Sequence, residues 1–474
     1  MNPHIPHILF VNPWIHDFAA YDVWAKPYGL LSLAAITRCH GYQVSYIDCL
    51  DRFHPRAGKT DPYIRNGRGP FRKKTIQKPG GLSDINRTYS RYGIEPEWFR
   101  EDLSAIPKPD LIMVTSLMTY WAPGVRETIS AIKKIFPTVP VFLGGIYASL
   151  CYDHACKHSG ADRVLSGSTE KTILDIFETY FGYRELSLYN PDDPDTYPYP
   201  AFDLQRVINY VPILSSRGCP FSCAYCASGY LNDAFTQRKP EFVVEEIKYF
   251  NTRHGVRDFA FYDDALLVNA KSHAIPMLEQ LVNDDVNVRF HLPNALHIRE
   301  INEEIASLMY LAGFQTIRLG LETVEFQEKR HQLDRKVSEK EFYDAVNVLL
   351  SAGFEKDQVG AYLLCGLPDQ TTASVESSIR TVLKSGITPV LSHYTPIPHT
   401  ALWPKAVLSS RYDLEADPIY TNNAILPCQK EPFSWEKVLY LKNIIKEGSD
   451  NNKPAIPEMV EAGCASEKLG STHN

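Results

Sequence analysis

The sequence predicts an α/β protein of two successive parallel sheets: an N-terminal Rossmann-like, doubly wound sheet, followed by a partial (β/α)6 barrel of the TIM type. Three observations predict it. Short β-rich runs alternate with amphipathic helical ones from His7 to Phe181. The alternation then stops across a stretch rich in Asp, Pro and Tyr (YNPDDPDTYPYPAFD). It resumes as six longer strand–helix units. The boundaries read as 1–181 for the first domain, 182–209 for a linker, 210–400 for the barrel and 401–474 for a C-terminal extension with a polar tail.

In the first domain HILFV (7–11) reads as a strand and residues 27–41 as the helix after it, with Pro27 at its start and Gly41 where a C-terminal cap belongs. QVSYID, DLIMVTS, VPVFLGG and DRVLSG read as four further strands, and VRETISAIKKIF and KTILDIFETYF as amphipathic helices. Residues 51–100 break this rhythm with Gly, Pro and basic residues including Arg65, Arg68, Arg72, Lys73, Lys74 and Lys78. They read as an insertion over one edge of the sheet: a lid, a docking surface for an acidic partner, or a solvated connection. In the barrel, VPILSS, DFAFYDD, VRFHLPN, TIRLGLET, VGAYLLCGLP and PVLSHYTPIP are strands, nearly all apolar as a parallel sheet covered on both faces requires. Beyond about Gly448 the tail is polar and is expected to fray.

The 474 residues include 49 Lys+Arg against 56 Asp+Glu, a formal net charge of -7, so the chain is not a polycation that binds nucleic acid non-specifically. With 44% hydrophobic and 22% charged residues, bulk disorder is excluded. No apolar run approaches the roughly 20 residues of a membrane span, and the N-terminus lacks a secretory signal pattern. The expected compartment is the cytoplasm, where cysteines stay reduced. No phosphate-loop, zinc-protease or hydrolase-elbow motif is present.

Seven of the ten cysteines are scattered; Cys219, Cys223 and Cys226 are bunched directly after the first barrel strand, the strand end where barrel enzymes place their active sites. Gly218 and Pro220 allow the sharp turns that let three sulfurs converge. Soft thiolates at this spacing select zinc or an iron–sulfur cluster. A structural zinc site needs a fourth ligand, for which isolated His254 is a poor candidate, so zinc is disfavoured. Cys365 and distant Cys428 are too few for an auxiliary cluster.

CxxxCxxC with an aromatic residue, Tyr225, before the third cysteine resembles the radical S-adenosylmethionine (radical SAM) superfamily. The resemblance implies that Cys219, Cys223 and Cys226 hold a 4Fe-4S cluster whose open iron chelates S-adenosylmethionine, and that reductive cleavage yields a 5′-deoxyadenosyl radical. It further implies SAM contacts at strand ends: Asp263 in FAFYDD, Glu322 in RLGLET and Gly366 in LLCGLP. As a plain turn residue Asp263 needs no ligand, and Glu322 has Arg318 or Arg299 as alternative ion-pair partners. A one-electron reductant such as flavodoxin or ferredoxin is the implied partner.

The first domain resembles the cobalamin-binding domain that precedes many radical SAM barrels, through Asn12-Pro13, Pro27-Tyr28-Gly29-Leu30, Gly144-Gly145 and Ser166-Gly167-Ser168-Thr169-Glu170. Asn12, Gly144, Gly145 and Gly167 are the implied cobalamin contacts, since glycines at strand ends let a large flat ligand lie in the crevice. Met113, Met118, Tyr120 and Trp121 either line a corrin face or belong to the core. The Asp-x-His-x-x-Gly element that supplies a lower cobalt ligand is absent; Asn12-Pro13-Trp14 stands in its place, and His16 reads as a loop histidine. The implied activity is cobalamin-dependent methyl transfer to an unactivated carbon. The alternatives are cobalamin-independent radical chemistry and a non-catalytic iron–sulfur or zinc protein that binds a partner.

Overall fold

The structure, a computed structural model, describes residues 4–182, 188–326, 333–334, 337–429 and 435–450. Most of the polar tail, with Cys464, lies outside them.

Five parallel strands form the first sheet: β1 (His7–Asn12), β2 (Gln43–Asp48), β3 (Leu111–Val114), β4 (Val141–Leu143) and β5 (Arg163–Val164), in the order β5-β4-β3-β1-β2. In β1 all six residues are buried, because helices cover both faces. Its side chains alternate: Ile8 and Phe10 pack with Leu33 and Phe177, whereas Leu9 and Val11 pack with Phe99 and Ile129. Those partners come from α1 (Tyr28–Cys39), α2 (Pro96–Ala105), α3 (Ala122–Ile135) and α6 (Ile173–Phe181); two short helices, α4 (Ile146–Leu150) and α5 (Tyr152–His158), lie between β4 and β5. The chain runs from β1 to β2 on one side and returns to β3 on the other. This places the topological switch point, the usual ligand crevice of such sheets, at the carboxyl ends of β1 and β3.

The insertion is built structure. Lys73–Thr75 and Ser90–Tyr92 pair with each other, and Ser90–Tyr92 pairs in turn with Ile15–Asp17 just after β1. Leu82, Ile85 and Tyr89 pack with Phe18 and with Ile419 and Ile425 of the C-terminal extension. Several of its cations are bound locally, as where Arg68 lies 4.4 Å from the centre of the Trp24 ring. His16 sits in the small strand paired with Arg91, with its Nε2 2.6 Å from a Glu127 carboxylate oxygen, so it belongs to a strand and an ion pair, not to a free loop.

The second sheet has six parallel strands in sequence order: β6 (Val211–Ile213), β7 (Asp258–Phe261), β8 (Arg289–His291), β9 (Phe314–Glu322), β10 (Val359–Cys365) and β11 (Thr388–His393). No pairing joins β11 back to β6 among the described residues, so the sheet is open. Successive helices cover it: α7 (Ser228–Leu231), α8 (Pro240–His254), α9 (Ala274–Asn283), α10 (Glu303–Leu311), α11 (Glu339–Ser351) and α12 (Thr372–Lys384). Local sequence sets their ends. Pro240 occupies the first turn of α8, Gly255 ends it in the left-handed region, and Ser338 with Glu341 forms a reciprocal capping box on α11. The extension adds α13 (Trp403–Ser409) and α14 (Trp435–Asp450). No helix among the described residues is long and apolar enough to cross a membrane.

Candidate functional site

The cysteine loop leaves the first barrel strand at Ser215-Ser216-Arg217. Both serine hydroxyls donate to one oxygen of Asp263 at 2.6 Å, and the Ser215 amide donates to the other at 3.2 Å. Asp263, 4% exposed, therefore ties the end of β7 to the start of the loop, and burial pushes its carboxyl up against the pull of those donors. Its neighbour Asp264 accepts a 2.6 Å hydrogen bond from Ser228 at the start of α7, where the loop ends. The paired acids thus hold the loop at both ends.

Gly218 turns the chain at φ +76, and a Cβ there would lie 2.8 Å from the carbonyl oxygen of Ala234. Beyond it Cys219 is half-buried, Cys223 buried and Cys226 exposed, and none of the three is in a disulfide. The Cys226 amide donates to the Cys223 carbonyl at 3.0 Å, which brings those two thiols onto one turn. Ala224 is pinned from both sides, donating to Leu333 O and accepting from the Leu402 amide, each at 2.8 Å. No group of three His, Cys, Asp or Glu among the described residues closes tightly enough to hold a single metal ion. Three soft thiol donors on one short loop leave one corner of a four-iron cluster vacant, whereas a closed zinc site needs four ligands.

Glu322 adopts φ +62 at the end of β9, a conformation rare for a side chain this size, and is 7% exposed. Its carboxylate accepts the hydroxyl of Tyr225, the residue before the third cysteine; burial, that carboxylate and the Cys223 thiol push the Tyr225 phenol well above its usual range. Arg318 instead donates to the carbonyls of Ile317 and Gln358. Gly366, at φ +93 after β10, has its amide held by Gln370 at 2.8 Å, and a Cβ there would lie 2.8 Å from a methyl of Leu426. The space its missing side chain leaves is therefore taken up by the extension. A cavity of about 300 Å3 lies beside Ala224, walled by Thr323, Glu325, Leu367, Leu402 and Lys405. Cys365 and Cys428 are buried, with thiols pushed up to about 11 and about 12, and stay protonated and inert.

In the first domain a smaller cavity of about 60 Å3 opens at the switch point, against Asn12, Pro13, Thr115, Leu117 and Trp121. Leu117 and Met118, at the end of β3, are 40% and 39% exposed, while Met113 and Tyr120 are core. Nothing lies within 4 Å of a Cβ built on Gly167, and on Gly144 only the Thr169 hydroxyl, at 3.9 Å. A flat ligand could rest on both. Gly145 has another job: at φ +93 it packs on Ser116, whose carbonyl oxygen would lie 2.2 Å from an added Cβ. Asn12 turns its amide to Asp48, donating at 2.7 Å.

Sequence reading did not find what joins the two halves. Arg217, two residues before Cys219, donates at 3.0 Å to Glu170 of the turn after β5. Tyr230 of α7 stacks on His399, with ring centres 4.1 Å apart, and His399 reaches the carbonyl oxygen of Leu150 in α4 at 3.1 Å. Only the turn around Gly167 and the loop after Ser216 were flagged in the sequence; that they meet depends on the domain arrangement.

A family model described as the B12 binding domain matches residues 88–177, and one described as the radical SAM superfamily matches residues 213–382. An uncharacterised methyltransferase of Pyrococcus horikoshii is 24% identical over 350 residues, 67% of this chain and 74% of the relative. An anaerobic magnesium-protoporphyrin IX monomethyl ester cyclase of Rubrivivax gelatinosus is 22% identical over 338 residues, 64% of this chain but only 59% of the relative. In fold, the radical SAM methyltransferase TsrM of Kitasatospora setae is similar with a TM-score of 0.62 at 16% identity, over 85% of this chain and 76% of that one. The chain therefore carries a radical SAM domain over residues 213–382, preceded by a B12-binding domain over residues 88–177.

Proposed function

We propose that this protein is a cobalamin-dependent radical SAM methyltransferase that acts on an unactivated carbon of its substrate. The observation that carries the reading is the meeting of the two sheets' carboxyl ends. The cysteine loop and α7 lie against α4 and the Glu170 turn, so groups held at the two strand ends would face one interdomain space. Here Cys219, Cys223 and Cys226 hold the 4Fe-4S cluster; Glu322 borders the SAM pocket, with Gly366 as the turn packed on Leu426 beside it; and Asn12, Gly144 and Gly167 border the cobalamin crevice, with Gly145 setting the turn against Ser116. Asp263 acts as a positioning residue through Ser215 and Ser216, in place of a direct SAM contact. When bound, these groups supply a single electron to the SAM sulfonium and a carrier for its methyl group. The protein's own part is to hold the loop at both ends, to bury Tyr225 and Glu322 behind it, and to keep the domains in register so that water is excluded. A flavodoxin or ferredoxin supplies the electron, in a reducing cytoplasm that keeps the thiols free.

Anaerobic protein loaded with cluster and hydroxocobalamin, given SAM labelled in its methyl group and a strong reductant, tests this. Formation of S-adenosylhomocysteine that depends on cobalamin, alongside 5′-deoxyadenosine, is expected. If 5′-deoxyadenosine forms equally well without cobalamin and no S-adenosylhomocysteine appears, the methyl-transfer reading fails and cobalamin-independent radical chemistry replaces it.

A further inference from the structure

A cavity of about 320 Å3 lies beside the switch-point crevice, between the carboxyl end of β2 and the linker, with Asp48, Lys26, Asp51, Arg52 and Arg206 among its walls. Most of its charges are matched. Arg52 pairs with Asp22 at 2.9 Å, and Arg206 with Asp51 at 2.9 Å and Asp102 at 3.1 Å. Two are not. The Lys26 ammonium donates to neutral amides, Gln205 Oε1 at 2.6 Å and Asn209 Oδ1 at 2.7 Å, and lies 4.7 Å from the centre of the Tyr210 ring, with no ion pair to a carboxylate among the described residues. The Asp48 carboxylate accepts only from neutral donors: the Asn12 amide at 2.7 Å, the Leu50 backbone at 2.8 Å and the Tyr46 hydroxyl at 3.0 Å. Gln205 also hydrogen-bonds Tyr46, so a neutral chain of Gln205 and Tyr46 runs between the cation and the anion, which make no direct contact.

A half-buried ammonium and a half-buried carboxylate, solvated separately along one cavity wall, are complementary to a ligand that carries the opposite pair. Phe53, Phe71, Ile106 and Val207 supply an apolar remainder. We propose that this cavity binds the zwitterionic head of a free α-amino acid with an apolar side chain, its carboxylate on Lys26 and its ammonium on Asp48. A lone anion would leave Asp48 unanswered beside it, and a lone cation would do the same to Lys26; a zwitterion satisfies both without adding net charge to a desolvated site. Burial pulls the Lys26 ammonium down to about 8 and pushes the Asp48 carboxyl up to about 6, so near pH 7 both carry charge without an ionic partner. The cavity shares Asn12, Lys26, Pro27 and Phe71 with the switch-point crevice, so its occupant would lie beside that crevice without filling it. The inference does not depend on the radical reaction.

Isothermal titration of the full chain with L-phenylalanine, 3-phenylpropionate and phenethylamine tests it, with and without bound hydroxocobalamin. L-Phenylalanine should bind with a Kd on the order of 100 μM. Each singly charged analogue should bind at least about 10-fold more weakly, the loss of roughly one charge-assisted contact. Lys26→Met should abolish the advantage of phenylalanine over phenethylamine, and Asp48→Asn its advantage over 3-phenylpropionate. Equal binding of the three ligands, no binding of phenylalanine at about 100-fold above that Kd, or its displacement by hydroxocobalamin would overturn the proposal. The analogue series on the native protein decides the matter even where a variant fails to fold.

Discussion

At the scale of single residues, the cysteine trio was legible because three thiols in eight positions form a local pattern, and local patterns survive without coordinates. What holds the trio was not legible. Asp263 is one of many acids at strand ends, and nothing in FAFYDD says that two serines 48 and 47 residues earlier will capture it. The Tyr225–Glu322 bond likewise joins positions nearly a hundred apart. Tyr225→Phe leaves a buried carboxylate without its donor and should lower stability by about 1–3 kcal/mol in denaturant unfolding, while leaving iron content after reconstitution unchanged, because the hydroxyl is not a ligand. Asp48 gives a pH signature. Its carboxyl is pushed up to about 6 in the folded chain from an ordinary value of 3.8, so between those two pH values the folded state binds more protons than the unfolded one. Its contribution therefore favours folding at low pH and is lost as pH rises through about 6. Asp48→Asn should raise the melting temperature more at pH 8 than at pH 5, a comparison differential scanning calorimetry makes directly.

The elements themselves were read well where apolar periodicity is strong. Every strand expected in the two sheets is present, from HILFV as His7–Asn12 to PVLSH within Thr388–His393, and α8 begins at Pro240, within one residue of the expected Glu241. Residues 51–100 were the failure. Their short strands pair with Ile15–Asp17 and lean on the distant Ile419 and Ile425, and a strand of three residues carries too little periodicity to be seen. The Gly366 turn shows the same dependence on a remote partner. Gly366→Ala combines a left-handed backbone with a 2.8 Å approach to Leu426, and should cost about 2–4 kcal/mol. In the double variant with Leu426→Ala the clash is gone and only the backbone strain remains, so the two changes should cost about 1 kcal/mol or more less than their sum in a double-mutant cycle.

For the whole molecule, the two-domain order was visible in the rhythm of the sequence, and the docking of one domain on the other was not, because it rests on isolated cross-domain pairs. Arg217–Glu170 is the most telling, since it fixes the turn after β5 against the root of the cysteine loop. Glu170→Ala leaves a largely buried guanidinium unpaired and should cost about 2–3 kcal/mol, below the range for a fully buried pair because Arg217 keeps some solvent contact. Limited proteolysis of the linker should accelerate accordingly. The central claim is that the loop at the end of the first barrel strand holds the reactive metal centre. Anaerobic reconstitution of the native chain and of a Cys219→Ala, Cys223→Ala, Cys226→Ala triple variant, with iron and sulfide analysis and 5′-deoxyadenosine measured after SAM and reductant are added, tests it most directly. The native chain should bind about four irons and four sulfides and release the nucleoside, and the variant should do neither; a variant that keeps its iron and still releases 5′-deoxyadenosine at the native rate would contradict the account.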